Sequence, residues 1–457
     1  MHAGRRVQAG GSGGFDAPRR AGMHETPVNT VLAGTCATLR GTVAARSPQF
    51  PELVAREGIF MPQSLRAPGT GAIPAPHVPA NPGLRRALVW DSGNSSSLLV
   101  ARSFVRQGWV VDWMGTPGSP YRASPLWSTR TFVASFEDPV VEATLRSHPL
   151  HALLLHGDDQ VRWILRRWRG LPAGVRRHFP APEALETAMS KQHAMCLARE
   201  LGIPVLETIV CASRAEVAAA AAQLGARGDV VVKGEGAAAG AAVRSVRAGR
   251  WPSDHQWQAV TRHAPTVLVQ RRIHGPRFLV TVAYAHGVER AACVHEKVVA
   301  APFAFGPAAF GITRRMDVLH DYAARMFTAL QWHGIADIEF RQDVADGRWY
   351  FMEINPRVCA TLGIEAEAGL DLVGDWARVC AAGETRELPV APGRRYQDGV
   401  RYAWSTRALA LLVRRPWSVP AWGLRCLLTQ GSDFDVMNGA MRRRAVRTGL
   451  WIARHQS

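Results

Sequence analysis

Two short stretches of this chain carry residue types suited to holding phosphate. The first is VVVKGEGAAAG, a β-branched run ending in Lys233 and followed by small residues from Gly234 to Gly240. Without bulky side chains the backbone can approach a phosphate chain closely and aim its N–H groups at it, while a lysine at the strand end supplies a compact positive charge. The lysine precedes the glycines, so this is not a Walker loop; a plain flexible hairpin is the other reading. The second stretch is WYFMEINPR, with Glu353, Asn355 and Arg357 at alternate positions. On a strand, that alternation puts all three on one face. A carboxylate, an amide oxygen and a guanidinium projecting together suit a Mg2+ ion held against phosphate oxygens, because Mg2+ prefers hard oxygen ligands and borrows some from its substrate. Glu339, in the preceding segment IADIEF, would face Glu353 across a hairpin. Two facing acids repel unless a cation lies between them.

Lysine usage reinforces these assignments. Among 55 basic residues only three are lysines: Lys191, Lys233 and Lys297. Where a positive charge suffices the sequence uses arginine, so the surviving lysines point to places that need a compact ammonium rather than a planar fork.

The elements that must position these residues can be read in outline. From Arg85 short apolar segments alternate with helical patterns: RALVW, SSSLLVARSFVRQG, WVVDWMG, then HALLLHGDD and VRWILRRW. This alternation predicts a parallel α/β unit, with ligand groups at the carboxyl ends of its strands. The first such end carries Asp91 to Ser96, which either hold an anion on free N–H groups or simply cap a helix. Asp158 and Asp159, after HALLL, are open between a helix cap and a substrate contact. The segment PEALETAMSKQHAMCLARELGIP reads as two helices, with Lys191 near the start of the second. From Asp229 the pattern becomes β-rich, and a helical stretch over about 316–332 precedes the strand pair GIADIEFR and RWYFMEINPR.

Bulk properties bound the alternatives. A chain of 457 residues with 47% hydrophobic content can bury two or three cores. A net charge of +18 would ordinarily raise nucleic acid or acidic lipid as partners, but the excess is spread along the chain and predicts no specific nucleic-acid partner. Seven cysteines, odd in number and without a C-x-x-C pair, argue against a disulfide framework or zinc site. With no secretory signal and no run of about 18 apolar residues, the expected location is cytoplasmic. Residues 1–83, rich in Gly, Ala, Pro and Arg, read as a disordered extension; a processed targeting peptide, or a start at Met23 or Met61, is the alternative. From Arg394 to the end stand 12 Arg against three Asp. The segment RALALLVRRPWSVPAWGLRCLL mixes Arg, Trp and Leu as an interfacial helix would, whereas Pro416 and Pro420 interrupt a continuous surface helix and favour a docked one.

From Arg86 to about Gly383 the chain resembles the ATP-grasp superfamily, in particular its carboxylate–amine ligase and carbamoyl-phosphate-synthase-like branch. The resemblance rests on five parts in order: a preceding α/β domain, S-K and later G-I-P, a strand ending in Lys before a small-residue loop, Q-x-x-I-x-G, and E-I-N-P-R. It implies an α/β and α+β chain: a small Rossmann-like parallel domain at 84–181, an ATP-grasp domain at 182–385 and an Arg-rich C-terminal extension at 386–457. By that resemblance Lys191 and Lys233 contact the nucleotide phosphates, and the loop with Gly234, Glu235, Gly236 and Gly240 closes over them. Gln270, and the backbone near Arg272 and Ile273, lie beside the adenine. Glu339, Glu353 and Asn355 hold one or two Mg2+ (or Mn2+) ions, and Arg357 faces the transferred phosphoryl group. Lys297, Arg314 and Arg315 are candidates for anchoring the acceptor carboxylate or the phosphate, with plain surface charge the alternative for the arginines. Family members often carry acids where this chain has Arg271 and Arg277.

The implied reaction is attack of a carboxylate on the γ-phosphate of ATP, giving an acyl phosphate that an amine opens to an amide. Small-molecule carboxylate and amine substrates are the expected partners, an amino acid or small peptide on the amine side, with a homodimer as the assembly this architecture often forms. The competing expectation is a catalytically degenerate nucleotide-binding protein that reaches an anionic membrane or polymer through its Arg-rich tail.

Overall fold

Apolar strand runs bounded by glycine and polar turns build three sheets in this chain. The computed structural model describes residues 84–225, 229–234, 243–246, 254–261, 266–300, 306–383, 396–414 and 429–455. The segment 1–83, the loop positions Glu235, Gly236 and Gly240, and the stretch with Pro416 and Pro420 lie outside these residues.

The first sheet is made by β1 (Arg86–Trp90), β2 (Val110–Gly115), β3 (Arg130–Phe132) and β4 (Ala152–Leu155), all parallel, in the order β3-β2-β1-β4. Between and after them run α1 (Ser96–Arg106), α2 (Pro139–Ser147) and α3 (Asp158–Arg167). The carboxyl ends gather polar groups, as an open parallel sheet requires. Asp91 accepts hydrogen bonds from Gly93 N at 2.9 Å, Ser97 Oγ at 2.6 Å and Ser119 Oγ at 2.5 Å. The serines at the start of α1 therefore serve a buried network rather than cap the helix; Ser95 makes no side-chain cap bond.

Two helices follow, α4 (Pro182–Met189) and α5 (Lys191–Glu200). Ser190 separates them because its side chain accepts from His193 N at 3.2 Å, starting α5 at Lys191. Next come β5 (Thr208–Cys211), α6 (Arg214–Gly225), β6 (Val230–Gly234), β7 (Val243–Val246), α7 (Asp254–Thr261) and β8 (Val267–Arg271). Their strands form an antiparallel sheet in the order β5-β8-β6-β7. Its valines at 230, 232, 267 and 269 pack on Val217, Ala220 and Leu224 of α6 and Val260 of α7. Alternation then places Lys233, Leu268 and Gln270 on the opposite face.

The largest sheet has the order β13-β12-β9-β10-β11-β14-β15. Its strands and flanking helices are β9 (Arg277–Ala285), β10 (Val288–Ala300), β11 (Ala308–Thr313), α8 (Asp317–Ala329), β12 (Gly334–Gln342), β13 (Trp349–Asn355), α9 (Leu372–Ala382), β14 (Arg401–Ala403), α10 (Ser405–Arg414), β15 (Gly431–Ser432) and α11 (Gly439–His455). One face buries Phe278, Val280, Val282, Ile338 and Phe340 with Leu319, Ala323, Met326 and Phe327 of α8. The other face is apolar only at one end, where Ala283, Ala285 and Ile335 join Leu372 and Trp376 of α9 and Ala87, Val89 and Leu98 of the first domain. The strands' other end on that face is polar, and there the functional residues lie. Between β8 and β9 the chain passes within contact of β12: a Cβ on Gly275, whose φ is +151°, would stand 2.3 Å from the Gln342 carbonyl oxygen.

The extension docks onto this sheet. Strand β14 pairs with β11, and Trp404, 1% exposed, donates from Nε1 to the Leu362 carbonyl at 3.2 Å. Gly363, at φ +118°, leaves room for Tyr402, whose hydroxyl oxygen would lie 2.5 Å from a Cβ there. Among the described residues Cys211, Cys293, Cys359 and Cys380 are free.

Because Trp404 fills the joint between extension and sheet, Trp404→Ala should cost about 3 kcal/mol of stability, at the lower end for a buried aromatic. Denaturant unfolding reads that loss, and limited proteolysis should cut the extension faster; an unchanged midpoint and an unchanged cleavage rate would contradict the docking.

Candidate active site

The polar face is organised by one register. Strands β12 and β13 pair so that Glu339 stands opposite Glu353 and Asp337 opposite Asn355. Like charges in that relation are unfavourable by themselves. Three lysines from three different elements answer them. Lys297 of β10 lies 2.7 Å from Glu339 Oε2, and Lys191 at the start of α5 lies 3.3 Å from Glu353 Oε2. Lys233 projects from the end of β6 into the field of both acids. Burial opposes ionisation of Glu339, but Lys297, Arg277 and Lys233 together hold its pKa below the usual glutamate value. Lys233 pays most for its position: burial pushes its pKa down to about 8, with Lys191 and Arg341 adding repulsion and Glu353 and Glu339 partly restoring it.

A second chain of contacts leads from the large sheet to the parallel domain. Asn355 Nδ2 donates to Asp337 Oδ1 at 2.7 Å, Arg357 Nη2 donates to Asn355 Oδ1 at 3.1 Å, and Arg357 Nε donates to Asp158 Oδ1 at 2.6 Å. Burial pushes the pKa of Asp337 up to about 6, against the opposing pull of Arg357 and Asn355. Asp158, at the first turn of α3, is lowered overall because Arg357 and Arg162 outweigh its burial. The open choice at Asp158 thus resolves to an ion pair that fixes Arg357.

The remaining candidates are placed as follows. Gln270 is buried and donates to Thr208 Oγ1 at 2.7 Å. The Arg272 N–H donates to the Asp229 carbonyl at 2.8 Å, and its guanidinium reaches Asp229 and Ser245. Ile273 joins Leu206, Tyr350 and the partly buried Met352 in an apolar patch next to Glu353 in the chain. Gly234 ends β6. Arg271 pairs at 2.7 Å with Asp343, the residue that follows β12. Arg277 stands close enough to Glu339 to help hold it ionised. Arg314 is not brought to the cluster. It lies 3.5 Å from Glu296, and alternation along β10 turns Glu296 away from the face that carries Lys297. Arg315 is exposed and bonds the Tyr396 carbonyl at 3.3 Å.

Residues not singled out from the sequence also belong here. Asp337 and Arg341 flank Glu339 at strand period in IADIEFR, a legible signal. His295 sits beside Lys297 and Glu339, fully buried, and neither ring nitrogen has a partner among the described residues. Burial and the neighbouring ammonium push its pKa down to about 3, so the ring is neutral. Nothing in the segment CVHEK marks it.

The donor set suits a hard cation borrowing ligands. Among the described residues no group of three or more His, Cys, Asp and Glu forms a self-sufficient metal cage. Two facing carboxylates and an amide oxygen at the end of one strand pair are an incomplete shell, which fits an ion completed by phosphate oxygens.

Comparison with known proteins bears on the fold. Residues 186–388 match the family model described as carbamoyl-phosphate synthase L chain, ATP binding domain. No curated protein matches the sequence. Among solved structures, the biotin carboxylase domain of Hydrogenobacter thermophilus 2-oxoglutarate carboxylase, complexed with MgADP, ADP and bicarbonate, superposes with a TM-score of 0.55 at 13% identity, covering 69% of this chain and 72% of that one. Biotin carboxylase from Campylobacter jejuni in a β,γ-ATP complex gives 0.53 at 15% identity, covering 65% and 71%. An ADP complex of N5-carboxyaminoimidazole ribonucleotide synthetase gives 0.52 at 15% identity, covering 65% and 77%. At such identities the likeness is one of fold. Together with the match over residues 186–388, it gives this part of the chain the fold of a carbamoyl-phosphate-synthase-type ATP-binding domain.

With only three lysines, the charge state of the site can be read directly. In a spectrum of 13C-labelled lysine side chains, one of three signals, absent in Lys233→Met, should titrate near pH 8. A Lys233 signal that stays protonated past pH 10 would contradict the buried placement.

Proposed function

We propose that the chain is an ATP- and Mg2+-dependent ligase that joins a small carboxylate to an amine through an acyl phosphate. The observation that carries this reading is the opposition of Glu339 and Glu353 with lysines from three elements converging on them. A structural salt-bridge cluster would not need the three lysines of the whole chain in one place.

In this reading Lys191 and Lys233 would contact the nucleotide phosphates, and Glu339, Glu353 and Asn355 would hold the metal. Mg2+ held there supplies charge neutralisation as phosphate and carboxylate approach. The apolar patch of Leu206, Ile273 and Tyr350 supports an adenine site beside the phosphates. Arg357, fixed by Asp158 and Asn355, would face the transferred phosphoryl group at the junction with the parallel domain. Residues 84–181 would then supply much of the acceptor side, 182–385 the nucleotide side, and 386–457 a docked basic extension. Turnover needs water kept from the acyl phosphate, a task suited to the small-residue loop after Gly234.

Phosphate release from ATP, measured with Mg2+ and paired panels of carboxylates and amino acids, tests the reading. Turnover should require both partners, and Glu353→Gln should lower kcat by about a hundredfold or more, the scale of losing one charge-stabilising group. No turnover with any pair, together with salt-sensitive binding to anionic vesicles, would favour the nucleotide-site relic instead.

A further inference from the structure

A second guanidinium approaches Arg357, and it comes from outside the matched domain. Arg407, in the first turn of α10, donates from Nη1 to the Ala308 carbonyl at 3.2 Å and from Nη2 to the Ala360 carbonyl at 2.9 Å. Ala360 lies three residues beyond Arg357, so this clamp also holds the segment on which Arg357 sits. A guanidinium has five N–H donors, which leaves three of them for another acceptor. Among the described residues no carboxylate lies within ion-pair distance of Arg407, although 17 such pairs form elsewhere, from Arg86–Asp112 to Arg378–Asp375.

The nearest acid is already engaged. Asp433 accepts from Ser405 N at 2.7 Å and from Ser95 Oγ at 2.8 Å, tying the start of α10 to the start of α1. Burial pushes the Arg407 pKa down, Asp433 offsets only part of that, and Arg357 adds repulsion. Two cations recessed at one junction with one fully committed acid each are costly unless an anion joins them. Yet Arg407 keeps partial exposure, as does Arg357 at 12%, so neither guanidinium is sealed from solvent. A further incomplete group lies near Arg357: His156, 1% exposed, bonds Ser96 Oγ through Nδ1 at 3.1 Å and leaves Nε2 without a partner among the described residues.

We propose that Arg407 binds a carboxylate of the substrate, at the junction of the parallel domain, the Arg357 segment and the extension. Resting on the ligase reading, this deepens it: the substrate carries a second carboxylate besides the one phosphorylated, as a dicarboxylate or acidic amino acid does. The extension is then part of the specificity of the site and not a covering alone. Lysine would not replace Arg407, because two carbonyl contacts and a carboxylate need a planar fork.

Calorimetry on the full chain with saturating Mg-ADP compares succinate with propionate. Succinate should bind at least tenfold more tightly to the native chain, and Arg407→Gln should erase that preference while Mg-ADP affinity stays within twofold. Arg407→Lys, the milder change if the glutamine variant unfolds, should lose most of the preference and still bind Mg-ADP. Equal binding of the two acids by the native chain, or a preference that survives in both variants, overturns the proposal. So does displacement of succinate by inorganic phosphate at lower concentration, which would make the site one for a phosphate group. Failure of the native chain to bind Mg-ADP would instead strike at the ligase reading, a result separable from all of these.

Discussion

The structure turns on the repulsion between Glu339 and Glu353. At the separation of directly opposed side chains, about 5 Å, two unit charges in a partly buried site repel by roughly 3 kcal/mol at an effective dielectric near 20. The sheet tolerates this because Lys297 and Lys191 sit within 3.3 Å of the two carboxylates and Lys233 lies behind them. Each lysine arrives on a separate element, so the small sheet, α5 and the large sheet must be mutually placed for the acids to remain ionised. The electrostatics of the site therefore depend on the closed arrangement of the two sheets. The same arrangement leaves cations that can exchange carboxylate for phosphate, and acids that can exchange ammonium for metal, so that each charge keeps a partner of opposite sign.

Much of this was legible from residue spacing. Alternation in WYFMEIN put Glu353 and Asn355 on one face, and a hairpin with IADIEF offered Glu339 as the acid opposite Glu353, the register that the strands adopt. Ser190 as a helix start and the placement of Lys191 were equally readable, since a serine cap fixes the first turn. What escaped was set by tertiary neighbours. Arg314 sits next to Thr313, which pairs with His295, yet its side chain leaves for Glu296 on the other face. The pairing of Arg271 with Asp343 joins residues 72 apart, and no local pattern encodes it. His295 and Arg407 carry no motif because their significance is the absence or commitment of neighbours, which only packing decides.

The extension shows the limit of reading composition. Its arginines against few acids invited a surface role, yet part of that excess is internal structure: Arg407 clamps two carbonyls and Trp404 fills the joint over Gly311. Asp433, one of its few acids, is spent on the start of α10 and on Ser95 of the parallel domain. A chain segment outside the matched domain thus helps define how the parallel domain meets the ATP-grasp domain.

The central claim is that the facing acids form a nucleotide-dependent metal site. Electron paramagnetic resonance of Mn2+ titrated into the chain tests it most directly. The account predicts tight Mn2+ binding that needs ADP, with a spectrum broadened by 17O in the nucleotide phosphates, and lost when Glu339 and Glu353 are both changed to Gln. Tight Mn2+ binding without nucleotide, or binding with ADP that survives the double substitution, would contradict it.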